Sequence, residues 1–184
     1  MKTRKFLKLS TAIVAATGLG AAWLSRAGNK TRDNAVNTKE ITMSELLDLQ
    51  SNPTTIEPVK LSKEDWQRHL NNAEYHVLRR AGTERPWTSH LNQEKRDGEY
   101  VCAGCNLSLF VSNTKFESGT GWPSFYEPIA GRLGESTDFK IGYPRTEYHC
   151  IRCKGHQGHV FKDGPKPTGL RYCNNGIALK FIPA

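Results

Sequence analysis

Tyr100-Val-Cys102-Ala-Gly-Cys105 and Tyr148-His-Cys150-Ile-Arg-Cys153 decide how this 184-residue chain is read. Each carries a C-x-x-C pair on a short β-prone run, and 44 residues separate Cys105 from Cys150. Four thiolates offered by two tight knuckles suit the tetrahedral sulfur set of a structural zinc site, in which no position stays open for catalysis. Zinc is the commoner occupant of such sites than iron. Gly104, just ahead of Cys105, is expected to give its knuckle backbone freedom. The intervening segment is longer than in a compact zinc ribbon, so the metal would pin two distant strands. Two other readings of the same cysteines stand beside this one. They could form disulfides in an exported chain, or one pair could be a redox dithiol, although neither pair sits in a βαβ context.

A fifth cysteine lies outside the pairs, in Gly169-Leu-Arg-Tyr-Cys173-Asn-Asn-Gly176. Taken alone, a free cysteine is commonly a small buried hydrophobe. The neighbours of Cys173 argue for chemistry instead. Arg171 precedes it by two positions on a candidate strand and so shares its face, where a cation lowers the pKa of a thiol. Asn174 and Asn175 follow with amide donors and acceptors. His156-Gln-Gly-His159 supplies two imidazoles that a four-cysteine metal site does not need. A reversal at Asp163-Gly-Pro165 would turn them toward Cys173. A thiol, an arginine, an amide and two imidazoles make a cysteine nucleophile with its own acid and base. Upstream, Glu117-Ser-Gly-Thr-Gly-Trp-Pro-Ser-Phe125 presents Trp122 on a Gly-rich bend stiffened by Pro123, either as a packed lid or as an apolar binding wall.

These motifs sit in a stretch of short β-like runs that begins after Gly98. The candidates are Tyr100–Cys102, Leu107–Val111, Tyr148–Cys150, His159–Lys162, Leu170–Cys173 and Ile177–Ile182. Ahead of them, Ser62-Lys-Glu-Asp65 reads as a helix start, with Trp66 and Leu70 one turn apart. Asn71 or Asn72 is expected to cap a second helix, with Tyr75, Val77 and Leu78 on its apolar face and Gly82 as its stop. Trp66, Tyr75 and Leu78 are read as core. The expected fold is mainly β, a small antiparallel domain over residues 60–184 with short N-terminal helices. Residues 28–59 are polar, rich in Asn and Thr, and read as a linker in which Met43–Leu49 could form a short amphipathic helix.

Residues 1–27 explain the charge. Lys2, Arg4, Lys5 and Lys8 precede the uncharged apolar run Leu9–Leu24, and Ser25-Arg-Ala27 follows with small residues at a cleavage-like site. This pattern reads as an export signal, or as an uncleaved anchor. Sixteen helical residues span only about 24 Å, against roughly 30 Å of hydrocarbon. The segment holds five basic and no acidic groups, so without it the formal charge falls from +8 to +3. The basic pI is therefore poor support for a nucleic-acid partner, and none is expected. The expected location is periplasmic or secreted, with membrane contact only if the segment is retained.

In this order along the chain, Cys102-x-x-Cys105, Ser118-Gly-Thr-Gly-Trp-Pro-Ser-Phe125, Cys150-x-x-Cys153-x-x-His156-x-Gly-His159-Val-Phe-x-Asp163-Gly and Gly169-Leu-Arg-Tyr-Cys173-x-Asn175 resemble the B-type peptide methionine-R-sulfoxide reductases. Glu74-Tyr-His-Val-Leu-Arg79 and Thr83-Glu-Arg-Pro86 look like that family's N-terminal portion, so the match runs from about Leu61 to Phe181. The resemblance implies two small antiparallel sheets, one zinc on Cys102, Cys105, Cys150 and Cys153, and reduction of the R epimer of methionine sulfoxide in oxidised proteins. It implies that Cys173 is the nucleophile. His156, His159 and Asn175 would bind and protonate the sulfoxide oxygen, Arg171 and Asp163 would organise the site, and Trp122 with Phe125 would contact the substrate.

The chain departs from the pattern at Thr120, where many members carry a cysteine that resolves the sulfenic acid. With four thiols on zinc, no free resolving cysteine remains. A one-cysteine enzyme is expected, a monomer served by a thioredoxin-like or small-thiol reductant. Gln157 and Asn174 also stand where hydrophobic neighbours are usual. The competing functions are a zinc-stapled binding module with Cys173 in its core, and an exported thiol–disulfide oxidoreductase using one C-x-x-C.

Overall fold

Two polar side chains start the helices. Ser62 accepts the backbone N–H of Asp65 and begins α1, Lys63–His69. Asn71 and Glu74 form a reciprocal capping box that begins α2, Asn72–Arg80, satisfying backbone donors that have no partner inside a helix. Trp66, Val77 and Leu78 are buried and Tyr75 packs against the core's edge. The expected stop at Gly82 falls one residue early, because Ala81 takes the left-handed conformation (φ 48°). The computed structural model describes residues 56–184. The signal-like residues 1–27, the candidate helix at 43–49 and nearly all of the linker lie outside the described residues.

Nine strands follow in chain order: β1 Gly98–Cys102, β2 Ser108–Val111, β3 Lys115–Phe116, β4 Ser124–Phe125, β5 Leu133–Asp138, β6 Arg145–Cys150, β7 His156–Phe161, β8 Arg171–Asn174 and β9 Leu179–Pro183. They form two antiparallel sheets, ordered β2-β1-β9 and β3-β4-β8-β7-β6-β5. The mainly β, two-sheet expectation holds. Three strands escaped the sequence reading for identifiable reasons. β3 and β4 are two residues each, and β5 (Leu-Gly-Glu-Ser-Thr-Asp) is a largely polar edge strand without the apolar alternation that marks a half-buried one.

The sheets meet through aromatic rings. Phe110 of β2 stacks on Phe125 of β4 with centroids 4.1 Å apart, and Tyr100 of β1 meets the edge of Phe125 at 4.9 Å. Tyr148 and Tyr172 extend this layer across β6 and β8, edge to face at 5.3 Å. Tyr172 points into the aromatic layer, so the pleat turns its neighbour Cys173 to the opposite face of the sheet. That alternation creates the site. The rings hold the layers together through burial and ring geometry. Phe110→Ala should therefore lower unfolding free energy by about 3–5 kcal/mol in denaturant titration. A loss below about 1 kcal/mol would show that the aromatic layer is not what joins the sheets.

Candidate active site and metal centre

The two C-x-x-C knuckles converge. Each turns on backbone bonds to its first cysteine carbonyl, from Asn106 N to Cys102 O and from Lys154 N to Cys150 O. The left-handed residues that close them are Asn106 (φ 57°) and Lys154 (φ 58°). Gly104, expected to supply that freedom, does not adopt positive φ, and a Cβ there would make only ordinary contacts. The four sulfurs are buried and lie within 4.8 Å of one another, with Cys102–Cys153 at 3.6 Å and Cys105–Cys150 at 3.5 Å. A tetrahedron with metal–sulfur bonds of about 2.3 Å has edges of about 3.8 Å, so the set fits one metal ion.

All five cysteines are free of disulfides, and the paired ones face each other across the knuckles. Side chains from both helices grip the loops: His69 Nε2 lies 3.0 Å from Gly104 O and Arg79 donates to Cys153 O at 2.8 Å. Two N–H groups approach the sulfurs, Gly155 N to Cys153 at 3.4 Å and Gln157 Nε2 to Cys102 at 3.3 Å.

Cys173 lies in the middle of the six-stranded sheet. Its cross-strand partners are Ser124 on β4 and His159 on β7, and His159 in turn faces Glu147 on β6. These side chains occupy one face, beside a cavity of about 110 Å³ bordered by Trp122, Arg145, His159, Phe161, Cys173 and Asn175, among others. Gly158 makes the close approach of β7 and β8 possible, since a Cβ there would lie 1.9 Å from the carbonyl oxygen of Cys173. Trp122 is fixed by its indole N–H on Glu84 O at 3.2 Å.

The two imidazoles are each backed by a carboxylate. His156 Nδ1 lies 2.6 Å from Glu147 and His159 Nε2 lies 2.8 Å from Asp138. Asp138 also accepts the Lys140 backbone N–H and the Arg145 guanidinium, which hold its carboxyl well below the usual range. Burial pushes both histidines below the ordinary imidazole value, against the opposing pull of Glu147 and Asp138. The pairs fix which nitrogen faces the site. The His156 and His159 rings meet edge to face at 5.5 Å, and His156 Nε2 is buried without a hydrogen-bond partner among the described residues.

The Asn175 amide is largely engaged, accepting Glu84 N at 3.0 Å and donating to Gln157 O at 2.9 Å, which leaves one amide hydrogen. Arg171 forks onto Asp163 at 2.8 and 2.9 Å and lies over the Phe161 ring. From sequence alone, Arg171 two positions before Cys173 is expected to favour the thiolate. In the structure burial dominates and pushes the Cys173 thiol up, while Arg171 and a hydrogen bond from Thr120 pull it back only in part.

Phe125 does not reach the cavity. It pairs with Tyr172, one residue out of phase with the Ser124–Cys173 row, and is wholly buried against Phe110. The structure brings Cys173, His159, Asn175, Arg171 and Trp122 together, with Asp163 on Arg171, while His156 lies behind His159, ring against ring, and is not part of the cavity lining. It adds Asp138, Glu147, Arg145 and Glu84, which no local motif marks. Asp138 and Glu147 sit on polar strands and meet the histidines only through the register of β5, β6 and β7.

A β domain with four clustered thiols able to hold one metal ion, and a fifth thiol on a cavity wall near two histidine–carboxylate pairs, has the layout of a thiol-dependent enzyme. Residues 70–183 match the family model described as "SelR domain". Relatives called "Peptide methionine sulfoxide reductase MsrB" include one from Leptospira interrogans, 51% identical over 124 residues, or 67% of this chain and 95% of that protein. Another from Bradyrhizobium diazoefficiens is 50% identical over 131 residues (71% and 94%), and one from Pseudomonas putida is 54% identical over 121 residues (65% and 91%). This chain belongs to the SelR family, that of the B-type peptide methionine sulfoxide reductases.

The thiol's environment gives a direct test. The alkylation rate of Cys173, followed against pH, should have its midpoint above the ordinary thiol range. Replacing Thr120 by Val or Arg171 by Met should move it further up, because each change removes a group that favours the thiolate. A midpoint that falls in either variant would contradict the assignment.

Proposed function

We propose that the chain reduces the R epimer of methionine sulfoxide in oxidised proteins, with Cys173 as nucleophile. The observation that carries this reading is a lone thiol on the wall of a small cavity, between an indole and a carboxylate-backed imidazole. The Cys173 thiolate attacks the sulfoxide sulfur while a proton passes to its oxygen. The oxygen then ends on Cys173 as a sulfenic acid and methionine leaves, so that the substrate sulfur is reduced by two electrons and the cysteine oxidised by two. His159 and His156 supply the proton, and Asp138 and Glu147 stabilise the imidazolium form. Asn175 offers its remaining amide hydrogen to the oxygen, Arg171 steadies the thiolate, and Trp122 packs on the substrate methyl.

No internal thiol is available to reduce the sulfenic acid. Four of the five cysteines form the metal cluster, and Thr120 offers only a hydroxyl to Cys173. An external thiol forms a mixed disulfide and releases water. A second thiol then frees Cys173 and leaves the reductant oxidised, as a thioredoxin-like dithiol or a small thiol can do. Cys102, Cys105, Cys150 and Cys153 would hold zinc, and a metal held by all four thiolates would staple the knuckle after β1 to that between β6 and β7, a structural and not a catalytic service. Residues 1–27 direct export, so the reductant is one available outside the cytoplasm.

Turnover of a methionine-R-sulfoxide peptide with dithiothreitol decides the matter. Wild type should reduce it, and Cys173→Ser should lose about a thousandfold or more while remaining folded. Equal turnover by both proteins would end the reading. The Thr120→Cys variant should accumulate an intramolecular disulfide on turnover with substrate alone, whereas wild type should trap as a sulfenic acid adduct. A Cys173 disulfide within wild type would refute the one-thiol cycle.

The pH profile follows from the directions of the two shifts. A lowered imidazole pKa and a raised thiol pKa push the limbs of a bell apart. The kcat/KM profile should therefore be flat across neutrality, with its acid limb below about 6.5 and its alkaline limb above about 8.5.

A further inference from the structure

Gln157 and Asn174 are two amides with no exposed surface, in a site where hydrophobic residues would fill the same volume. Buried amides are costly unless each polar end is bonded. Here every end is. Gln157 Nε2 donates to Cys102 Sγ at 3.3 Å, and its Oε1 accepts the Asn174 amide at 3.4 Å. Asn174 also donates to Asn175 O at 2.8 Å and accepts the Tyr148 hydroxyl at 2.8 Å. Asn174 directly follows Cys173 on β8 and borders the cavity, while Cys102 is one of the four clustered thiols. A continuous chain of side-chain hydrogen bonds thus runs from a sulfur of the metal centre to the strand that carries the reactive thiol.

We propose that Gln157 and Asn174 form a buried amide relay that couples metal retention to the geometry of the Cys173 strand. The N–H of Gln157 stabilises the thiolate charge on Cys102, as groups around metal ligands do. That amide holds its orientation only while Asn174 occupies its Oε1. Disturbing Asn174 therefore frees Gln157 to rotate and weakens a metal ligand that Asn174 does not touch. Linkage makes the effect reciprocal, so a firmly held metal favours one placement of Asn174 and of the Asn175 carbonyl beside it. The inference rests on the metal reading of the four cysteines.

The test is the rate of zinc release into a chromogenic chelator from the folded, zinc-loaded full chain. Gln157→Leu should release zinc about tenfold faster, a change of about 1.4 kcal/mol in the barrier. Asn174→Val combined with Tyr148→Phe removes both partners of one bond and leaves no orphaned hydroxyl. This double variant should release zinc about threefold faster. Adding Gln157→Leu to it should give no more than the tenfold of Gln157→Leu alone, because the relay is already cut. Tyr148→Phe alone leaves the amide pair intact and should release zinc at the wild-type rate.

Wild-type release from the Asn174→Val, Tyr148→Phe protein, or effects that multiply to about thirtyfold, would overturn the relay and leave the metal site standing. A wild-type chain that binds no zinc would overturn both. If the Asn174 variant does not fold, Gln157→Leu still decides, since wild-type release from it removes the first link.

Discussion

Everything at the site depends on the antiparallel register of β7 against β8. It sets His159 opposite Cys173 and Gly158 opposite Asn174, and it works only because Gly158 has no side chain to meet the Cys173 carbonyl. The pleat then separates two tasks along one strand. Tyr172 faces the aromatic layer that joins the sheets, and Cys173 faces the cavity. A slip of one residue would exchange them, burying the thiol and exposing the ring. The aromatic core is thus a condition for the chemistry as well as for stability.

The electrostatics of the cavity follow from how that face is covered. Desolvation raises the thiol and lowers the imidazoles, so both groups rest nearer their neutral forms than free side chains would. Carboxylates behind the histidines and the Arg171 guanidinium beside the sulfur keep the charged forms within reach. The thiol and the imidazoles, unlike the ion pairs around them, thus stay uncharged until a polar substrate brings a reason to separate charge.

Residues with strong local signatures were legible in the sequence. The doubled C-x-x-C, the surplus histidines, the lone cysteine with Arg171 two positions before it, and both helix caps carry their meaning in spacing alone. In the structure the four paired thiols cluster and both caps form. What escaped depended on register and direction. Asp138 and Glu147 look like ordinary charges on exposed strands until β5, β6 and β7 are aligned. Phe125 lay in the right motif but on the wrong face, an alternation that a Gly-Pro-rich bend hides from any periodicity argument. The thiol's net shift was misread because sequence shows a neighbouring cation and not the depth of burial.

The helical segment ahead of the sheets also looks different once placed. At the end of α2, Arg79 holds the Cys153 carbonyl of one knuckle. The carbonyls of Arg80 and Ala81 receive Lys140 from the hairpin that carries Asp138. Three successive residues of one helical turn thus clamp a cysteine knuckle on one side and the loop beside the Asp138 carboxylate on the other. Read from the sequence as a preface to a β domain, α2 is the yoke that keeps two loops from distant parts of the chain at a fixed separation.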